Sequence, residues 1–211
     1  MAGVNMAALR STTVKPGDKV VVIGMGLVGN FAAQLLTLAG AEVMAVDSSE
    51  FRLAKAKECG ITNTVLRLSS EVTEQVMDWT DGARAVVEAV GKSEAVRDAV
   101  LLTRRWGETI ILGSPRAPAE FDVTPMLFHI HVKSIRLIGA FEWGWPVNET
   151  ERTRNIVDNY RLLLDWIRDG RLQARPLMTH ILSPKECQQG YDGLTGNRDE
   201  FLSVVFDWGV M

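Results

Sequence analysis

The chain has 211 residues, 46% of them hydrophobic, enough for one large buried core or for a domain with an appendage. A net charge of −3, spread over 26 acidic and 23 basic residues without a long run of either sign, supplies no basic field for nucleic acid. No apolar stretch reaches the roughly 20 residues of a membrane span, and the opening Met-Ala-Gly-Val-Asn-Met lacks the features of a secretory leader, so a cytoplasmic setting is expected.

Residues 1–16 read as a lead-in helix or linker. Residues 19–23 read as a strand, and the continuous apolar run from Val20 to Ile23 is of the kind needed by a strand buried on both faces. The run enters Gly24-Met-Gly26-Leu-Val-Gly29, and an amphipathic helix over 27–39 follows, stopped by Gly40. A second apolar run at 42–46 puts Asp47 at its end, 23 positions after Gly24. Strand, glycine turn, helix, strand and acid in this order suit a dinucleotide. Gly24 permits the tight turn, Gly26 lets backbone approach a pyrophosphate, and Gly29 lets the helix press on the sheet. The start of that helix offers unpaired N–H groups and the positive end of the helix dipole to the phosphates. Asp47 would accept hydrogen bonds from the ribose hydroxyls and repel a 2′-phosphate, which predicts NAD rather than NADP. The same glycines occur in ordinary turns, however, and Asp47 could instead cap the helix that follows.

That helix spans 50–59 and stops at Gly60; further strands are expected at 64–68, 84–89, 108–112 and 135–139. Val72, Val76 and Trp79 repeat at helical spacing, and a helix from Ser93 ends in the solvated pair Arg104-Arg105. The alternation predicts an α/β fold, a doubly wound parallel sheet over 17–143. Beyond it come a loop at 142–146, a helix at 151–169 with Ile156, Tyr160, Leu163 and Ile167 in one stripe, a strand at 177–182, a short helix from Pro184, and a last strand at 201–206. Residues 144–211 are too few for a core of their own and read as part of a second domain.

Isolated candidates are few. Cys59 and Cys187 read as packed free thiols. His129 and His131 alternate on an expected strand 126–132 and could face one metal, but no third ligand is near, so neither a metal site nor a catalytic residue is assigned. His180 suits either a structural role or a proton relay, and Trp143 and Trp145 either a substrate pocket or a subunit contact.

Several segments together resemble the medium-chain dehydrogenase/reductase superfamily, within it the zinc-dependent alcohol and polyol dehydrogenases, over nearly the whole chain. They are Val14-Lys-Pro-Gly17 leading into the glycine turn, Ala54-Lys-Ala-Lys-Glu-Cys-Gly60, Val87-Glu-Ala-Val-Gly91, Thr109-Ile-Ile-Leu-Gly113, Leu177-Met-Thr-His180 and Val204-Val-Phe-Asp-Trp208. The resemblance implies an NAD cofactor whose pyrophosphate lies on Gly24, Gly26, Leu27, Val28 and Gly29, and whose adenosine ribose meets Asp47 and Arg52. It places Val90 and Gly91 beside the adenine and its ribose, and gives backbone around Gly113 and Ala140 to the nicotinamide carboxamide. A basic residue that many members carry in the terminal strand is replaced by Phe201-Leu202-Ser203.

The implied reaction is hydride transfer between an alcohol and NAD, giving an aldehyde or ketone. The catalytic zinc of that family is held by a GroES-like domain whose Gly-His-Glu motif does not occur here, so zinc is expected only in a full-length form and the chain alone is expected to be inactive. The resemblance also implies a homodimer through a sheet edge at 126–132, and unpartnered inward faces at Ile181, Val204 and Phe206. Two other readings stay open: a non-catalytic NAD-sensing module, and a zinc-free quinone or enoyl reductase, which would prefer NADPH.

Overall fold

The computed structural model describes residues 1–67, 71–147 and 155–210. Its centre is a parallel sheet of β1 (Lys19–Ile23), β2 (Glu42–Asp47), β3 (Asn63–Leu66), β4 (Ala83–Glu88), β5 (Thr103–Ile111) and β6 (Arg136–Gly139). The spatial order is β3-β2-β1-β4-β5-β6. The order reverses between β1 and β4, which opens a crevice outside the carboxyl ends of those strands.

Both faces of the central strands are covered, as their apolar runs require. Val20, Val22, Ala45, Ala85 and Val87 face Ala7 and Ala8 of α1 (Ala2–Ser11) and Ala32, Ala33 and Leu36 of α2 (Leu27–Leu38). Val21, Ile23, Met44, Val46 and Val86 face Val76 of α4 (Glu71–Thr80) and Ala99 and Leu102 of α5 (Ser93–Leu102). Helix α3 (Glu50–Glu58) follows β2, and its Leu53 and Ala56 join the first face.

A third apolar cluster joins the C-terminal segment to this body. Leu163 of α7 (Ile156–Arg168), Leu172, Leu177 and Leu202 pack on Met6, Phe31, Leu35 and Cys59. The Gln34 side chain pairs with backbone as a neighbouring strand would: its Nε2 donates to the Gln173 carbonyl at 3.0 Å and its Oε1 accepts from the Gln173 amide at 2.7 Å. Of the helix expected over 151–169, residues 151–154 lie outside the described residues. The described part begins at Ile156, where the Asn155 side chain accepts from the Asp158 amide.

The described structure departs from the sequence reading at several places; Cys187, expected to be packed, is exposed. Residues 126–132 are not a strand: they belong to α6 (Thr124–Lys133), which has Pro125 in its first turn, a left-handed Ser134 at its end and no buried residue. The alternation of apolar residues there serves no sheet face. His129 and His131 are therefore about 200° apart around a helix and cannot face one ion. Among the described residues the strand at this edge of the sheet is β6, which pairs with β5 alone.

Arg104 and Arg105 are not a helix end. Helix α5 stops at Leu102, where Thr103 turns extended and its hydroxyl donates to the Ala99 carbonyl at 2.8 Å. The two arginines lie on β5 beside Trp106, whose φ of 60° accompanies a register shift between the Ala83–Thr103 and Ala85–Glu108 pairs. The strand expected at 177–182 shortens to β7 (His180–Leu182) because Pro176 sits in a 3-10 turn before it. It pairs in parallel with β8 (Val204–Phe206). Val204 and Phe206 cover Gly190 of α8 (Cys187–Gly196), so the outward pair is Ile181 and Val205, with Ile181 63% exposed. Among the described residues no helix is long and apolar enough to cross a membrane.

Candidate dinucleotide site

The crevice is built on the turn after β1. Gly24 has a φ of 95°, and its amide donates to the Val46 carbonyl at 2.7 Å, tying the turn to β2. A Cβ on Gly29 would overlap the Gly24 carbonyl oxygen, so only glycine lets the start of α2 close on the turn. Gly26 is different: its φ of −65° is open to any residue, and a Cβ there meets nothing within 4 Å. Its α-carbon looks into empty space where a ligand backbone can approach. The Asn30 amide is the first to enter the helix ladder, on the Gly26 carbonyl at 2.9 Å, which leaves the amides of Leu27, Val28 and Gly29 ahead of it.

Asp47 is 5% exposed and faces this turn. Its Oδ2 accepts from the Met25 amide at 2.5 Å and its Oδ1 from the Ser49 amide at 2.9 Å, with the Arg52 guanidinium 3.9 Å away. Each carboxylate oxygen can accept twice, so one acceptor position per oxygen stays open for a ribose hydroxyl. The cap of α3 is Ser49, whose Oγ accepts from the Arg52 amide, which removes capping as the purpose of Asp47.

The opposite wall depends on Glu88, a wholly buried carboxyl at the end of β4. Its Oε1 accepts from the amides of Val90 and Gly91 at 2.6 and 2.7 Å, and its Oε2 has no partner among the described residues. Burial pushes the Glu88 carboxyl above the usual carboxylate range, against the pull of those amides.

Between the walls lies a cleft of 530 Å³. Gly24, Gly26, Asp47, Arg52 and Val90 line it. Leu27, Val28 and Gly29 form the first turn of α2 beside it. Gly91, Gly113 and Ala140 stand at the ends of β4, β5 and β6, outside the lining; a Cβ on Gly113 would overlap the Gly91 amide, and Ala140 is 5% exposed. The residues present fit a dinucleotide: a glycine cradle that a Cβ would fill, free helix-start amides and an acid with spare acceptor capacity.

The other candidates lie elsewhere. Among the described residues no three His, Cys, Asp or Glu side chains converge. The His180 ring stacks on Phe201 with centroids 3.5 Å apart, and its Nδ1 lies 3.1 Å from the Thr179 hydroxyl, a packed structural position. Burial, helped by Glu58, pushes the Cys59 thiol up to about 11, which leaves it unreactive at neutral pH. Trp145 packs on the core beneath Arg10, whereas Trp143 is exposed.

The family profile of the zinc-binding dehydrogenases matches residues 28–158, more than half of the chain. The chain belongs to the zinc-binding dehydrogenase family. An S-(hydroxymethyl)glutathione dehydrogenase of Paracoccus denitrificans is 29% identical over 196 residues, covering 88% of this chain and 49% of the relative. The alcohol dehydrogenase TADH of Thermus sp. ATN1 superposes with a TM-score of 0.76 at 25% identity, over 96% of this chain and 56% of that one. A short chain alcohol dehydrogenase of Escherichia coli CFT073, solved with NADH, shares the fold with a TM-score of 0.81 at 17% identity, over 98% of this chain and 57% of that one. This zinc-binding dehydrogenase chain spans about half the length of the curated relatives it matches.

Four cleft residues of the dehydrogenase chain carried no recognisable signal in the sequence: Arg67, Lys92, Arg198 and Asp199. Arg67 sits one residue past β3 and pairs with Asp98 of α5. Lys92 precedes α5 and reads as a surface charge. Arg198 and Asp199 come from the turn between α8 and β8, some 150 positions from Ser49, which hydrogen-bonds Asp199.

Proposed function

We propose that this chain is the NAD(H)-binding part of a zinc-type alcohol or polyol dehydrogenase, acting on an alcohol and its aldehyde or ketone. The observation that carries the reading is the open face of Gly26 beside a buried Asp47 with spare acceptor positions. The nicotinamide, when bound, supplies or accepts the hydride. The chain's own residues bind and orient: Gly26 and the amides of Leu27 to Gly29 receive the pyrophosphate, Asp47 and Arg52 the adenosine ribose, and the Val90 turn, fixed by Glu88, closes the other side. Neighbours of the same fold solved with NADH and with NADP support a nicotinamide dinucleotide, and Asp47 favours NAD. The same reading carries a homodimer through the free edge of β6.

Calorimetric titration with NADH of the wild-type chain and of Asp47→Ala tests the proposal. The variant loses both the ribose acceptor and the tie on the Met25 amide, so its affinity falls at least about tenfold. Equal binding by the two proteins would overturn the role given to Asp47.

A further inference from the structure

The corner of the cleft at the end of β2 brings Arg52 and Arg198 beside Asp47 and Asp199. Arg52 lies 3.9 Å from Asp47, and its Nε is buried with no hydrogen-bond partner. Arg198 lines the same cleft and makes no hydrogen bond or ion pair among the described residues. The turn that carries it is tethered to that corner, because the Ser49 hydroxyl, two residues past Asp47, donates to Asp199 Oδ1 at 2.7 Å.

Each oxygen of the Asp47 carboxylate already accepts one backbone amide hydrogen bond, from Met25 or from Ser49. A negative group entering at the 2′ side of the ribose would meet the carboxylates of Asp47 and Asp199, Arg52 ion-paired with Asp47, and Arg198, whose guanidinium has no hydrogen bond or ion pair among the described residues. Arg52 balances Asp47, and the Arg198 guanidinium is the cation of this corner left over to meet an added negative group. A guanidinium also presents two parallel donors that match the oxygens of a phosphate.

We infer that Arg198 sets how strictly the site separates NADP(H) from NAD(H), by offering its guanidinium to a phosphate on the adenosine 2′ oxygen. The assignment rests on the dinucleotide reading and adds to it a specificity residue supplied from the C-terminal segment. Asp47 excludes the 2′-phosphate and Arg198 tolerates it. The ratio of the two affinities reports the balance.

The test is titration of the full chain with NADH and, separately, with NADPH, for wild type, Arg198→Ala and Arg198→Lys. Arg161→Ala, on the exposed side of α7, serves as a control for lost surface charge. In Arg198→Ala the ratio Kd(NADPH)/Kd(NADH) rises about tenfold through weaker NADPH, while NADH stays within about twofold. Arg198→Lys falls between, since an ammonium keeps the charge without the fork, and Arg161→Ala matches wild type. The difference between wild type and Arg198→Ala shrinks at high salt, as expected for an exposed charge pair. An unchanged ratio overturns the inference. So does equal weakening of both nucleotides, which would put Arg198 on the diphosphate they share. A wild-type chain that binds neither nucleotide overturns the dinucleotide reading and this inference with it.

Discussion

Glu108 shows how one buried charge can be held by residues from three parts of the chain. Its wholly buried carboxylate accepts from the Thr12 hydroxyl at 2.6 Å, from the Thr13 amide and hydroxyl at 3.0 and 2.5 Å, and from Arg136 at 3.0 Å, with Arg84 at 3.6 Å. Burial raises its pKa, but the Thr12 and Thr13 hydrogen bonds and Arg84 outweigh burial and leave it below the ordinary value. Between its folded pKa and the unfolded value of about 4.3 the unfolded chain binds more protons, so stability rises with pH in that window. The contribution is complete above the unfolded value and is lost as pH falls through the folded one. Glu108→Gln is therefore expected to lower unfolding stability by on the order of 2 kcal/mol at pH 7, with the gap closing below about pH 4. Urea unfolding across pH checks this; a gap independent of pH would show that shape rather than charge matters. Glu108 in the sequence reads only as a polar residue opening an apolar run, because its threonine partners lie 95 and 96 positions away. Arg198 is hidden for the same reason, whereas Gly24, Gly26, Gly29 and Asp47 are legible because their spacing is local.

Among elements, β1, α2 and β2 fall where the sequence puts them, since a glycine turn punctuates two runs that only a doubly covered strand can bury. Helix α6 was not legible in this way. Its apolar residues alternate, but the helix lies on the surface with Leu127 and Phe128 more than half exposed, so burial imposed no period on it. The bulge in β5 was equally silent, because the left-handed residue is Trp106 rather than glycine. One edge of the sheet is β6, where Leu137 is 43% exposed. If the chain pairs through that edge, sedimentation velocity at micromolar concentration finds a dimer for wild type and a monomer for Leu137→Lys, since a charge on an edge strand blocks pairing. A monomeric wild type would contradict the proposed edge.

At the scale of the molecule, the C-terminal segment has its own role in shaping the site. It shares an apolar cluster with α1 and α2, it is stitched to α2 through Gln34 and Gln173, and its turn at Arg198 and Asp199 closes one side of the cleft. The sheet order and the position of the cleft at its switch point follow from the alternating pattern of strand and helix. The closure by the C-terminal turn does not, because it depends on tertiary docking between distant segments. The account stands or falls on whether the space above Gly26 is for a dinucleotide. NADH titration of wild type and Gly26→Ala measures this most directly, because the added methyl meets no protein atom within 4 Å and the backbone there suits alanine. The account predicts an unchanged urea midpoint and an NADH affinity at least about tenfold weaker than wild type. A variant that binds NADH as tightly as wild type would contradict it.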